Sequence, residues 1–291
     1  MKELQYIKNG DINFKKWDQC IENAPNTLLY ANSWYLNIVS PNWDAIIYGD
    51  YEAVFPLCVR KKIKLSYIAH PLFTQQLGIF GMLSEQVGFG EFIKQIPRKF
   101  LKMNFQLNNY HLSTSTKEME IRRNSLLPLS SLIEVKKKFN QGTNRNIKKF
   151  DSSNLSVTEN VDIDDFLNLK KGNVSFNLKD SEWGTMKKII TDLTDRKCGE
   201  TIGIYLHEQL VSGVFFAHWS NRIYYLFSAS NARGKEMRAS FGIVYYVINK
   251  YIDKGKILDF EGSMNENIAR FFQGFGAEQE LYYLYKKGII F

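Results

Sequence analysis

The chain is poor in the residues that mark several common classes. It has three cysteines, Cys20, Cys58 and Cys198, an odd number set far apart. They form no CxxC pair and no disulfide framework. Four histidines, His70, His111, His207 and His218, are scattered, and no pair has the spacing of metal ligands on one helix face. No metal is expected. The six prolines mark no linker, and no segment is of low complexity. No apolar run approaches the ~18 residues of a membrane span. The first ten residues, MKELQYIKNG, have no apolar signal core, so a cytoplasmic protein is expected. A Gly-x-Ser-x-Gly elbow and a P-loop are both missing, which argues against the corresponding hydrolases and NTPases. Zinc-finger spacing and an RRM aromatic motif are missing too.

What is present is the balance of a globular protein: 291 residues, 44% hydrophobic and 23% charged. That length suits two domains. Lysine and arginine exceed aspartate and glutamate by eight, which favours anionic partners such as CoA, nucleic acid or an anionic surface. The many aromatics sit mostly in alternating apolar runs and read as core.

The second half has the clearer pattern. Trp183, Met186, Ile189, Ile190 and Leu193 give one apolar helix face, capped at Asp180 or Ser181. Alternation predicts strands over 201–206, 210–219 and 222–229, joined by tight turns. The segment 230–235 reads as a loop. A helix is predicted over about 237–253, stopped by Gly255. A strand follows at 257–260. The capping box Ser263-Met264-Asn265-Glu266 opens a short helix to about Phe272. The last strand is predicted over 278–286.

The first half repeats this order more weakly. A helix is expected over 14–21, a hairpin over 43–48 and 53–60, and a strand over 65–72. A helix over 86–101 and a strand over 105–107 follow. The two hairpin turns, near Gly49 and Glu208, lie about half a chain apart, which suggests two copies of one unit. Ser131 opens a basic helix over 134–139, followed by 142–150. We divide the chain into domains 1–135 and 136–291. The fold class is α/β, with mixed, mostly antiparallel sheets flanked by helices. No pattern separates an oligomer seam from core.

Four stretches carry a family resemblance. They are Phe139–Lys149 (FNQGTNRNIKK), Tyr224–Ser230 (YYLFSAS), Leu258–Ser263 (LDFEGS) and Ile268–Gly276 (IARFFQGFG). Their order resembles the GNAT acyltransferase superfamily, and more closely its FemABX-like branch of tandem GNAT domains. The resemblance implies two GNAT-like domains, the first degenerate, and acyl transfer from an activated carbonyl to an amine. It implies acyl-CoA as donor and a small or amino-acid-like amine as acceptor. The alternative donor within the branch is aminoacyl-tRNA, with tRNA as partner.

The resemblance places the phosphate loop at 231–237. Of its glycine pattern only Gly234 fits, with Arg233, Lys235 and Arg238 adding positive charge. Tyr225 and Ser228 lie on the strand that faces the cleft. Glu261 ends the next strand and is the candidate general base. Phe272 stands where the family has a Tyr or Lys that assists the leaving group. His70, Gln75 and Gln76, in a polar loop of the first half, are read as acceptor contacts. Arg145, beside Lys148 and Lys149, is read as a contact for an anionic substrate or tRNA. Phe272 and the degenerate loop also fit a third reading, a catalytically silent module that binds an anionic ligand.

Overall fold

The computed structural model describes residues 2–63, 65–108, 110, 118–153, 155–173, 177–262 and 264–288. The chain forms two compact units. One holds Met1–Arg122 with Leu281–Phe291, the other Arg123–Glu280.

The first unit contains β1 (Leu4–Ile7), α1 (Phe14–Asn23), α2 (Ser33–Val39), β2 (Trp43–Tyr48) and β3 (Ala53–Lys62). It continues with β4 (Leu65–Ile68), β5 (Phe80–Gly81), α3 (Phe89–Gln95) and β6 (Lys102–Leu107). β7 (Met119–Pro128) leads into the second unit. There the order is α4 (Leu132–Lys137), α5 (Gln141–Asp151), β8 (Val157–Glu159), α6 (Ile163–Lys171) and α7 (Asp180–Asp195). The meander β9 (Gly199–Leu206), β10 (Gln209–Trp219) and β11 (Arg222–Ser230) follows. Then come α8 (Ala232–Glu236), α9 (Ala239–Tyr251), β12 (Ile257–Asp259) and α10 (Glu266–Gly274). β13 (Glu278–Gly288) returns to the first unit.

The two units share one strand pattern. In the first, β1, β2, β3 and β4 pair antiparallel in turn, β4 pairs parallel with β6, and β6 pairs antiparallel with β13. In the second, β8, β9, β10 and β11 pair antiparallel, β11 pairs parallel with β12, and β12 pairs antiparallel with β7. The sixth strands are therefore exchanged: each unit is completed by the strand that follows the other's fifth. This is why a division at 135 does not match the compact units. Leu126–Pro128 joins β12, and Tyr283–Gly288 joins β6.

Each sheet buries its faces under helices. In the second unit Val214 and Phe216 face the core shared with Ile147 and Phe150 of α5 and Val244 and Val247 of α9. The preceding Gly213, on the opposite face, lies against Phe166 of α6. In the first unit Phe55, Ile68, Phe92 and Phe105 form the core, with Trp17 against Trp43 at 4.5 Å.

Several elements differ from expectation. The helix at 86–101 is only α3, because Pro97 keeps Ile96 out of helical backbone; Ile96 has ψ 122°. The strand at 65–72 ends at Ile68, short of Pro71, which has no amide to continue the ladder. The segment 230–235 is not all loop: Asn231 caps α8 by accepting from the Gly234 amide. The next helix consequently starts at Ala239. Asn265, not Ser263, caps α10, accepting from the amides of Asn267 and Ile268; Ser263 lies outside the described residues. Among the described residues no helix is long and apolar enough to cross a membrane.

Candidate active site

The site begins where two strands part. β12 accompanies β11 only through Arg222–Ile257, Ile223–Leu258 and Tyr224–Asp259. From Tyr225 to Ser230, β11 continues with β10 beside it. The Asn231 amide bonds to Val211 O on that β10 side. Alternation then turns the backbone groups of Ser228 and Ser230 toward the opened side.

A bulge sets the side chains. Phe216 pairs with Tyr225, but Phe215 pairs with Phe227, so Leu226 is an extra residue. Val214 pairs with Ser228. Since Val214 and Phe216 share a face, Tyr225 and Ser228 share it too, although three residues apart. Their hydroxyls are hydrogen-bonded, and burial pushes the Tyr225 phenol up to about 12.

This face forms the floor of a pocket of about 340 Å³. Its other walls are Gly234 and Lys235 of α8, Arg238, Ser240 and Phe241 at the start of α9, and Asn267, Ile268, Phe271 and Phe272 of α10. Five residues singled out from sequence, Tyr225, Ser228, Gly234, Lys235 and Arg238, thus meet at one place. Arg238 joins the two helices in left-handed backbone, φ 60°, and its carbonyl accepts from Phe241 and Gly242. The positive end of α9 therefore lies beside two cationic side chains. A chain of hydroxyls links Ser240 to Ser230 (3.0 Å) and Ser230 to Ser212 (2.6 Å).

Gly234 is required for packing. A Cβ there would lie 2.3 Å from Val211 O, and the Gly234 amide donates to Asn231 Oδ1 at 3.0 Å. Phe272 is also explained by packing. Its ring stacks on Phe260 at 4.7 Å and meets Tyr225 edge-on at 5.9 Å. Arg233 is not among the lining residues and pairs with Glu236.

Glu261 follows β12 but is not among the lining residues. It has φ 59° and precedes Gly262, φ 58°. Burial raises its carboxyl well above the usual carboxylate range. Its amide donates to Asp259, which is bonded by Arg222 at 2.8 Å; Arg222 also holds Glu280.

The remaining sequence candidates lie elsewhere. Arg145 is exposed on α5 and does not line the pocket. His70, Gln75 and Gln76 belong to the first unit. His70 Nδ1 accepts from the Gln106 amide, which leaves Nε2–H to donate to Thr74 O, and burial lowers its pKa to about 4. Gln76 donates to Gln75, and both are buried.

Sequence reading missed Lys170. It ends α6 as one of two adjacent lysines, which looks like a solvated helix terminus. In the structure its Nζ donates to Ser228 O at 2.8 Å, and burial lowers it to about 8. A second polar cluster surrounds Glu200, which accepts from Tyr251 (2.6 Å) and Lys250 (2.6 Å) and contacts His218 (2.9 Å). Among the described residues no group of three or more His, Cys, Asp or Glu is placed to hold a metal.

No protein-family model matches the chain, and neither does any curated protein. Solved structures do. The crystal structure of FemX aligns with TM-score 0.66 at 13% identity, over 94% of this chain and 96% of that one. A conserved protein of unknown function from Bacteroides thetaiotaomicron aligns at 0.62 and 8% identity, over 99% and 100%. The C-terminal domain of an Agrobacterium fabrum protein named for lysylphosphatidylglycerol synthetase aligns at 0.57 and 8%, over 94% and 90%. The chain has a FemX-like fold.

Proposed function

We propose that the chain is an acyltransferase that moves an acyl group from acyl-CoA to the amine of a small or amino-acid-like acceptor. The parting of β11 from β12 beside the Tyr225–Ser228 pocket carries this reading. An opened strand edge offers backbone hydrogen bonds to an extended acyl and pantetheine chain. Lys235, Arg238 and the start of α9 offer positive charge to its phosphates. The FemX-like fold supports acyl or aminoacyl transfer, without choosing the donor.

In the reaction the amine attacks the thioester carbonyl, a tetrahedral oxyanion forms, and the C–S bond then breaks to release thiolate. The attacking ammonium must first lose a proton. Glu261, which follows β12 where that strand parts from β11, is the base we assign, and burial raises its carboxyl. Phe272 has no proton to give, so the thiolate leaves without help from that position.

A second reading uses aminoacyl-tRNA, where an ester to ribose takes the place of the thioester. One observation favours it: the Gly234 amide is already taken by Asn231, while the Lys235 and Arg238 side chains line the pocket. That suits a polyanion met by side-chain charge. Thermal-shift titration with acetyl-CoA, longer acyl-CoAs, free CoA and charged tRNA separates the two. A rise in Tm with an acyl-CoA, reduced in Arg238→Asn, is expected for the first. A rise with charged tRNA alone moves the assignment to the second. No rise with any donor overturns both.

A further inference from the structure

The first unit carries a feature that acyl transfer does not use. Lys62 pairs with Leu65 at the tip of the β3–β4 hairpin, and Lys102 pairs with Gly288 at the start of β6. The parallel pairing of β4 with β6, Ile68 to Met103, places both strand starts at the same end of that sheet.

Three large apolar side chains stand out there: Ile63 is 93% exposed, Leu65 46% and Leu101 54%. They line a cavity of about 360 Å³ together with Lys62 and Lys102. Ile63 has φ 57°, a turn conformation that favours glycine or asparagine and disfavours a β-branched residue. Neither the turn nor hydration accounts for an isoleucine at this position.

Charge at this end is mostly positive, with Asp44 in a neighbouring cavity beside Lys61 and Lys99. Lys61, Lys62 and Lys99 are exposed, and none of them forms an ion pair among the described residues. No aspartate or glutamate occurs from 53 through 84 or from 92 through 117. Lys94, Arg122 and Lys286, elsewhere in the unit, do pair with carboxylates.

We propose that this hairpin end is a peripheral docking site for an anionic lipid surface. Lysines meet headgroup phosphates while Ile63, Leu65 and Leu101 enter the apolar boundary beneath them. A nucleic-acid backbone would satisfy the cations but gives no cover to a fully exposed isoleucine.

The test is co-sedimentation with vesicles of phosphatidylcholine alone and of phosphatidylcholine mixed equally with phosphatidylglycerol. Wild type is expected to bind the mixed vesicles and not the neutral ones, with binding that weakens as salt rises. Ile63→Ser combined with Leu65→Ser should cut binding by about 10-fold or more, because the apolar contribution is gone. Ile63→Ser alone, at a fully exposed turn, serves as the variant least able to disturb folding. Lys61→Glu with Lys62→Glu should abolish binding. Wild type that ignores the mixed vesicles overturns the proposal. So does a folded serine variant that binds as well as wild type. Retention of poly(U), lost in the glutamate variant and unaccompanied by vesicle binding, would assign the surface to nucleic acid instead.

Discussion

Lys170 Nζ and the Ser228 carbonyl are 2.8 Å apart, joining the end of α6 to the opened side of β11. The lysine is held there with its pKa lowered from 10.5 to about 8 by burial. A lysine titrating lower in the folded state destabilises the fold while charged, and the penalty fades as pH rises from about 8 to 10.5. The stability difference between wild type and Lys170→Met is therefore expected to shift toward wild type across that window, by about 1–3 kcal/mol. Urea unfolding of both proteins at pH 7.5 and at pH 10 measures it; parallel curves would refute the burial of this amine.

Gly234 and Arg238 line the same pocket for different reasons, and substitution should separate them. Gly234→Ala drives a methyl to 2.3 Å from Val211 O and is expected to cost about 1–3 kcal/mol of stability. Arg238→Asn keeps a residue that tolerates the left-handed joint, so Tm should hardly move. Its affinity for a phosphate-bearing donor should fall about 10-fold through loss of one charged hydrogen bond. Calorimetric unfolding together with donor titration distinguishes the two.

Glu261 is expected to trade stability for use. Its carboxyl is raised in the folded state, so the unfolded chain releases this proton first, near 4.5. Stability is lost as pH climbs from there toward the folded value, at about 1.4 kcal/mol per pH step of one. Glu261→Gln should thus melt higher than wild type at pH 7 and equally at pH 4. If the residue is the base, transfer should also fall by about 10²–10⁴-fold. A variant that melts lower at pH 7 would contradict the burial.

Glu200 gives the opposite sign. Burial pushes its carboxyl up, but bonds from His218, Lys250 and Tyr251 outweigh this and hold it at about 2. Its contribution is complete above about 4.5 and disappears as pH falls toward 2. Glu200→Gln should cost about 3 kcal/mol at pH 7 and little at pH 2. Acid unfolding followed by circular dichroism should show wild type losing the difference within that window.

The parts of the fold legible in sequence are those fixed by local pattern. α7 declares itself through Met186, Ile189, Ile190 and Leu193, all of which are buried in the structure. The β9–β11 meander follows from alternation between tight turns. β7 was not legible, because its buried Asn124 and Ser125 look like loop residues until distant strands supply their partners. α8 was missed because five residues, Ala-Arg-Gly-Lys-Glu, present no apolar period. In the site, Tyr225 and Ser228 could be placed on a strand, but strand alternation sets them on opposite faces. Only the bulge at Leu226 unites them, and a bulge leaves no mark in the residues themselves. Lys170 shows the same limit: nothing in a Lys-Lys helix end distinguishes the lysine that turns inward.

The exchange of β7 and β13 also has a consequence for biosynthesis. A ribosome delivers residues 1–107 first, yet β6 receives its second neighbour only when residues 283–288 emerge. Until then the first unit has an open edge carrying Phe105 and Leu107, a template for wrong pairing. The second unit suffers no such delay, since β7 is already made when β12 arrives. Assembly is therefore ordered against the direction of translation, and the unit begun first is the one finished last.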